Sequence, residues 1–266
     1  MQGAGKMIKV AVAGARGRMG SLVIKNVLED ADLELVAAFD FRGVGELVAA
    51  EGVVIKHPSE MDAELKAKKP DVLVDFTNAE AAVENVKIAA RNGVRLVVGT
   101  TGFSEGQMRE MREAIDGNVP AVISPNFSIG VNVFWRLLAH AAEYLRDYDV
   151  EIVEAHHSAK KDAPSGTALK AARIIAERKG LSEENFVFGR RGLSPRSHAE
   201  IGIHAVRAGD IVGEHTAIFA RRGERIELTH RAHSREAFAQ GAILAVKWVF
   251  EVQESGVYSM EDVLWG

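Results

Sequence analysis

Ile8-Lys9-Val10-Ala11-Val12-Ala13-Gly14-Ala15-Arg16-Gly17-Arg18-Met19-Gly20 passes from a β-branched apolar run, through a glycine-spaced turn, into a segment with helical periodicity. The helical signal is the apolar set Met19, Val23, Val27 and Leu28. Glycines at this spacing let the backbone turn tightly and approach a diphosphate resting on the helix N-terminus. The next apolar run, Leu33–Phe39, ends at Asp40, 20 positions beyond Gly20. That is close to the offset at which a carboxylate meets the ribose of a dinucleotide. Alone, the turn would read as an ordinary strand-to-helix connection followed by a solvated Asp. Its place at the first strand, the first helix and the acidic end of the second strand makes it a nucleotide site.

Further short apolar runs follow at Val53–Ile55, Val72–Phe76, Leu96–Val98 and Ala121–Ile123. Helix-like stretches lie among them at Ser59–Lys68, Ala79–Arg91 and Ser104–Ile115. Such alternation predicts an α/β fold, a Rossmann-type doubly wound parallel sheet with helices on both faces. In such sheets ligands bind at the strand C-termini, where Gly99-Thr100-Thr101-Gly102-Phe103 and Ser124-Pro125-Asn126-Phe127-Ser128 fall. Either loop alone would pass for a turn.

The texture changes after Asn126. A long amphipathic helix, Val131–Leu145, precedes a strand at Val150–Ala155, and a helix runs from Thr167 to about Arg178. Ala199–Val206, Glu214–Ala220 and Arg225–His230 read as strands with no helix between them. This predicts a second α+β domain with a mixed or antiparallel sheet. Arg235–Val252 is again helical and is expected to return as cover for the first sheet. The expected division is residues 1–127 plus 239–266 for dinucleotide binding, and 128–238 for substrate binding and oligomerisation.

The chain has 266 residues, 47% hydrophobic and 26% charged, with a formal net charge of −4 and no cysteine. The charge argues against a nucleic-acid surface, and no basic run offers one. Lack of cysteine excludes thiol nucleophiles, disulfides and Cys-based metal sites. Neither a signal-like apolar core near the N-terminus nor a membrane-length apolar stretch is present, so a cytoplasmic protein is expected.

The densest chemistry lies in Glu154-Ala155-His156-His157-Ser158-Ala159-Lys160-Lys161-Asp162-Ala163-Pro164-Ser165-Gly166-Thr167-Ala168. It gathers proton donors, cations and helix N-terminal amides at the end of a strand, which suits binding a small anion and moving a proton. Adjacent histidines on a strand point to opposite faces, so they suit metal chelation poorly and no metal is expected. Lys161 reads as a solvated charge. His204, His215, His230 and His233 read as satisfied structural or surface residues, His57 and His140 as surface residues, and His198 has no assignable role. The stripe carrying Trp135 reads as packing.

Taken together, these segments resemble the 4-hydroxy-tetrahydrodipicolinate reductase (dihydrodipicolinate reductase) family. Asp75-Phe76-Thr77, Asn126–Asn132 and Arg207–Thr216 extend the resemblance over nearly the whole chain. It implies hydride transfer from NADH or NADPH to a cyclic dicarboxylate, giving tetrahydrodipicolinate on the diaminopimelate route to lysine, usually by a homotetramer. Position by position it implies His156 as catalytic histidine and Lys160 as catalytic lysine and proton donor. His157 would bind substrate, and Gly166 and Thr167, with Ser165 beside them, would hold a carboxylate. Gly14, Ala15, Arg16, Gly17, Arg18, Met19, Asp40, Phe41, Gly99, Thr100, Thr101, Ser124, Pro125, Asn126 and Phe127 would contact the cofactor. Phe41 departs from the pattern: many members place there an Arg that holds the NADPH 2′-phosphate. Both cofactors are therefore expected to work, NADH at least as well, with Arg16 or Arg42 as the substitute cation. The alternatives are another small-molecule NAD(P)-dependent dehydrogenase and a non-catalytic NAD(H) sensor, which would need the glycine turn but not the His-His-x-x-Lys cluster.

Overall fold

A computed structural model describes residues 7–48, 52–197 and 199–266; His198 lies outside the described residues. The chain forms two compact units, Met1–Ser128 with Glu236–Gly266, and Ile129–Arg235.

In the first unit, β1 (Ile8–Ala13), α1 (Arg18–Glu29), β2 (Leu33–Phe39), β3 (Leu47–Val48) and β4 (Val53–Lys56) are followed by α2 (Met61–Lys68) and β5 (Val72–Asp75). Then come α3 (Ala79–Arg91), β6 (Arg95–Val98), α4 (Glu105–Ile115) and β7 (Pro120–Ile123). After the second unit the chain returns as α7 (Glu236–Glu251), β13 (Gly256–Tyr258) and α8 (Met260–Trp265). The eight strands lie in the order β13-β7-β6-β5-β1-β2-β4-β3. Among the described residues all its pairings are parallel except β3 with β4. The order reverses between β1 and β5, where such sheets open a crevice.

Both faces of this sheet are apolar, as a parallel sheet requires. Val10 and Val12 of β1 join one core with Val23, Val27, Ala242 and Val246 from α1 and α7. Ala11 and Ala13 join the other with Leu65, Val86 and Met111 from α2, α3 and α4. Alternation along one strand thus feeds two layers. α7 approaches closely because position 241 is glycine: a Cβ there would lie 1.8 Å from the Phe127 carbonyl oxygen.

The second unit carries α5 (Ile129–Tyr144), β8 (Asp149–His156), α6 (Gly166–Lys179), β9 (Phe186–Phe188), β10 (Ile201–Arg207), β11 (Gly213–Arg221) and β12 (Glu224–Ala232). Its sheet has the order β12-β11-β8-β10-β9. It is mixed: β8, β9 and β10 run parallel, while β11 is antiparallel to β8 and β12. The inner row Val150 and Ile152 of β8 packs with Ile203, Ala217 and Phe219 against α5 and α6. Trp135 belongs to this core and donates its indole N–H to the Thr167 carbonyl at 3.2 Å. Sequence periodicity passed over β3, β9, β13 and α8, because strands of two or three residues and a helix of six contain too few repeats to register. Among the described residues no helix is long and apolar enough to cross a membrane.

Candidate active site

The inner row of β8 continues past Val150 and Ile152 to Glu154 and His156, placing a fully buried carboxylate where the alternation calls for an apolar side chain. Sheet register surrounds it. Ala205 of β10 and His215 of β11 stand opposite Glu154, and Arg207 of β10 stands opposite His156. Glu154 accepts His156 Nδ1–H at 2.6 Å, two Arg207 N–H groups at 2.8 Å each and the Ser165 amide at 3.0 Å. Burial alone would raise its carboxyl; the bonds from His156, Arg207 and Ser165 outweigh that and hold it at about 2. A charged group buried this deeply is tolerable only with such partners.

This carboxylate also fixes the loop between β8 and α6. Arg207 donates to the Asp162 carbonyl at 2.7 Å. Ala208 N–H bonds the His156 carbonyl at 2.9 Å, and Ser158 N–H bonds the Gly209 carbonyl at 3.0 Å. Lys160 Nζ pairs with Asp162 at 2.9 Å, and its amide closes a turn onto the His157 carbonyl at 3.0 Å. Lys161 is exposed. Ser165 is the N-cap of α6, its Oγ accepting the Ala168 amide at 3.2 Å. Gly166 and Thr167 open that helix, and a Cβ at Gly166 would meet open space. With Nδ1 turned to Glu154, His156 presents Nε2, which lies beside Gly213; a Cβ there would sit 3.1 Å from that nitrogen. His156, Lys160, Ser165, Gly166 and Thr167 therefore share one end of the sheet, with His157 following β8.

His215 departs from its expected satisfied state. Only Nε2 has a partner, Ser165 Oγ at 3.0 Å, and the ring stands edge-on to His156 at 5.2 Å. Its Nδ1 is buried with no hydrogen-bond partner among the described residues, and the same holds for Nδ1 of His230. Burial, then the positive charge of His156, pushes His215 down to about 3. His204 pairs with Glu151 at 2.7 Å. Sequence reasoning gave Glu154 and Arg207 no role and took His215 as a satisfied structural or surface residue. For Glu154 a signal existed: a carboxylate breaking an apolar alternation.

In the first unit, the predicted cofactor residues lie in the loops that follow β1, β2, β6 and β7, with Arg18 and Met19 in the first turn of α1. Gly14 adopts φ +83° and donates its amide to Phe39 O at 2.9 Å. A Cβ on Gly20 would lie 2.0 Å from Gly14 O, so only glycine lets α1 start here. α1 has Gly17 as N-cap, no side-chain cap and no acid in its first turn, which leaves its amides suited to an anion. Asp40 accepts the Arg16 and Arg42 amides at 2.9 Å each. The Arg16 guanidinium pairs with Glu46, and that of Arg42 reaches the Arg16 carbonyl at 3.2 Å. Phe41 is 66% exposed and edge-on to His57. A pocket of about 230 Å³ is lined by Gly14, Gly17, Asp40, Phe41, Arg42 and Thr77, among others.

Asp75, at the end of β5, is fully buried and joins two loops: it accepts from Thr77 N and Oγ1, Thr100 Oγ1 and Asn85 Nδ2, at 2.7–3.0 Å. Burial raises its carboxyl despite these bonds. Gly99 continues β6, with its amide on the Asp75 carbonyl at 2.9 Å, and Thr101 is exposed. Ser124 Oγ bonds the Asn126 carbonyl at 2.9 Å, fixing the turn that contains Pro125. Phe127 is 2% exposed, with its ring packed on Phe76 and its carbonyl oxygen against Gly241 of α7. Among the described residues no group of His, Asp or Glu could hold a metal ion.

Residues 8–127 match the family model "Dihydrodipicolinate reductase, N-terminus", and residues 130–264 match "Dihydrodipicolinate reductase, C-terminus". A 4-hydroxy-tetrahydrodipicolinate reductase of Methanocaldococcus jannaschii is 55% identical, covering 97% of each chain. That of Methanosarcina barkeri is also 55% identical, covering 97% of this chain and 99% of the relative. The dipicolinate-bound dihydrodipicolinate reductase of Paenisporosarcina sp. TG-14 superposes with a TM-score of 0.79 at 31% identity, covering 95% of this chain and 97% of that one. A probable dehydrogenase from Thermotoga maritima, 14% identical with a TM-score of 0.63, shares the fold. With residues 8–127 and 130–264 matched and more than half of all positions shared with full-length relatives, the chain belongs to the dihydrodipicolinate reductase family.

Proposed function

We propose that this chain is a 4-hydroxy-tetrahydrodipicolinate reductase, using a nicotinamide cofactor to make tetrahydrodipicolinate on the diaminopimelate route to lysine, in the cytoplasm. The observation that carries this reading is the polar end of the second sheet, where Glu154 holds His156 and the N-terminus of α6 together beside the Lys160 loop.

The first unit fits a dinucleotide. Gly14 through Met19 and the uncapped start of α1 would hold the diphosphate, and Asp40 a ribose. Phe41 would border the adenosine, with Gly99, Thr100, Thr101 and Ser124 to Phe127 towards the nicotinamide. When bound, the reduced nicotinamide supplies a hydride. The chain's own residues bind the dicarboxylate and deliver a proton. His157, Ser165, Gly166 and Thr167 hold its carboxylates, using helix N-terminal amides and hydroxyls. Once the 4-hydroxyl has left as water, hydride addition to the electron-poor ring leaves negative charge that a proton must quench. Lys160 Nζ carries that proton, with Asp162 as its counter-ion. His156 faces the substrate with Nε2, its Nδ1–H being committed to Glu154.

NADH should serve at least as well as NADPH. Asp40 opposes a 2′-phosphate, and the Arg16 and Arg42 side chains already have partners from which a phosphate must draw them. We also propose a homotetramer assembled on the outward face of the second sheet, where Glu151, Val153, Thr216 and Ile218 are only partly covered; light scattering checks this. The activity test follows NADH and NADPH oxidation with freshly generated substrate. Turnover with at least one cofactor is expected, and none with either would overturn the reading.

A further inference from the structure

Ser165 has one hydroxyl proton and two lone pairs. Its Oγ accepts the Ala168 amide and lies against His215 Nε2, with no other partner among the described residues. Ser165 is 2% exposed and His215 4%, so neither exchanges these contacts for bulk water. Burial keeps His215 neutral at working pH, so its ring holds one proton, on Nδ1 or on Nε2.

The two tautomers make Ser165 opposite things. A proton on Nδ1 would leave a buried donor with no acceptor. Ser165 would then spend its hydroxyl proton on Nε2 and turn a lone pair outward, repelling a carboxylate. A proton on Nε2 leaves Nδ1 as a bare acceptor, the better tolerated orphan. Both Ser165 lone pairs are then filled by N–H donors, and its O–H has only one task left, to donate. Gly166 next to it is exposed, with open space where a Cβ would be, so an anion can approach.

We propose that His215 is a positioning residue: as the Nε2–H tautomer it makes Ser165 an obligate hydrogen-bond donor to a substrate carboxylate. This rests on the reading of the site as a dicarboxylate site. The hydrogen bond from His215 reaches the anion through Ser165, so its effect is read in anion binding.

The test uses the NADH-loaded enzyme titrated calorimetrically with pyridine-2,6-dicarboxylate. Ser165→Ala and His215→Leu should each weaken binding about ten-fold or more, the scale of one charge-assisted hydrogen bond. In the Ser165→Ala background, His215→Leu should cost less than about two-fold, because the two act as one unit. His215→Gln, whose amide N–H can still donate to Oγ, should stay within about three-fold of wild type. The ring 15N signals of wild-type His215 in the complex, assigned by their loss in the Gln variant, should show a protonated Nε2 and a bare Nδ1. Additive losses in the double variant, or a protonated Nδ1, would overturn the proposal while the dicarboxylate reading stands. Failure of the wild type to bind the dicarboxylate would overturn both.

Discussion

Replacing Glu154 by Gln keeps the shape of the side chain and removes its charge. The wild-type carboxylate, fully buried, accepts four N–H groups, from His156, Arg207 twice and Ser165. An amide offers one oxygen, and its NH2 must face a donor. Arg207 is left with an uncompensated charge, and breaking a buried pair from one side costs about 3–5 kcal/mol, less here because Arg207 keeps some solvent. The proton linkage gives a second measure. Held at about 2 against an ordinary 4.5, the carboxyl contributes about 3 kcal/mol at neutral pH. For a depressed acid this stability is complete above the unfolded value and is lost as pH falls towards 2. Urea midpoints of wild type and Glu154→Gln should therefore differ most at pH 6–7 and converge as pH falls from about 4 towards 2. Loss of the Nδ1 anchor should lower kcat about ten- to a hundred-fold, the usual scale for a group that orients a functional histidine. A variant with kcat within about three-fold of wild type, and a parallel pH profile of stability, would refute the assignment of Glu154 as the anchor.

Gly20→Ala drives a Cβ to 2.0 Å from the Gly14 carbonyl oxygen. It should cost about 1–3 kcal/mol and abolish the thermal stabilisation that NADH gives the wild type, read by melting with and without NADH. Phe41→Arg should raise kcat/KM for NADPH about ten-fold relative to NADH; no gain would show that Arg16 or Arg42 already serves the 2′-phosphate. His156→Gln and Lys160→Ala should each lower kcat about 10²–10⁴-fold while changing KM far less, in steady-state assays with both substrates varied. Near-normal kcat in both would reassign the proton donor.

Much of the first unit could be read from the chain because local periodicity and function coincide there. The β1 run, the Gly14–Gly20 turn and Asp40 are contiguous or nearly so, and each glycine answers a steric demand of the same turn. Asp75 falls within a sequence motif, yet its work is non-local: it ties Thr77 to Thr100, 23 positions further along. In the second unit the proton-moving segment was legible, but its supports were not. Arg207 lies 53 positions from Glu154, and His215 lies 50 from Ser165.

What brings those supports together is sheet register, and alternation reveals only which face a residue takes, not which strand lies beside it. β10 runs parallel to β8 on one side and β11 antiparallel on the other, so the end of one strand and the start of the other meet at Glu154 and His156. A slip of one residue in β10 would turn Arg207 to the opposite face and leave Glu154 buried beside His156 with half of its donors. The cost of that stranded charge makes the correct register the favoured one. The same ion pair that orients the histidine thus also selects the strand pairing that builds the site. For this reason Arg207→Leu should be more damaging to folding than its partial exposure suggests, and the double variant Glu154→Leu with Arg207→Leu should regain stability over Arg207→Leu alone, while activity stays lost. Continued instability of the double variant, measured by urea unfolding at neutral pH, would show that register is set elsewhere in the sheet.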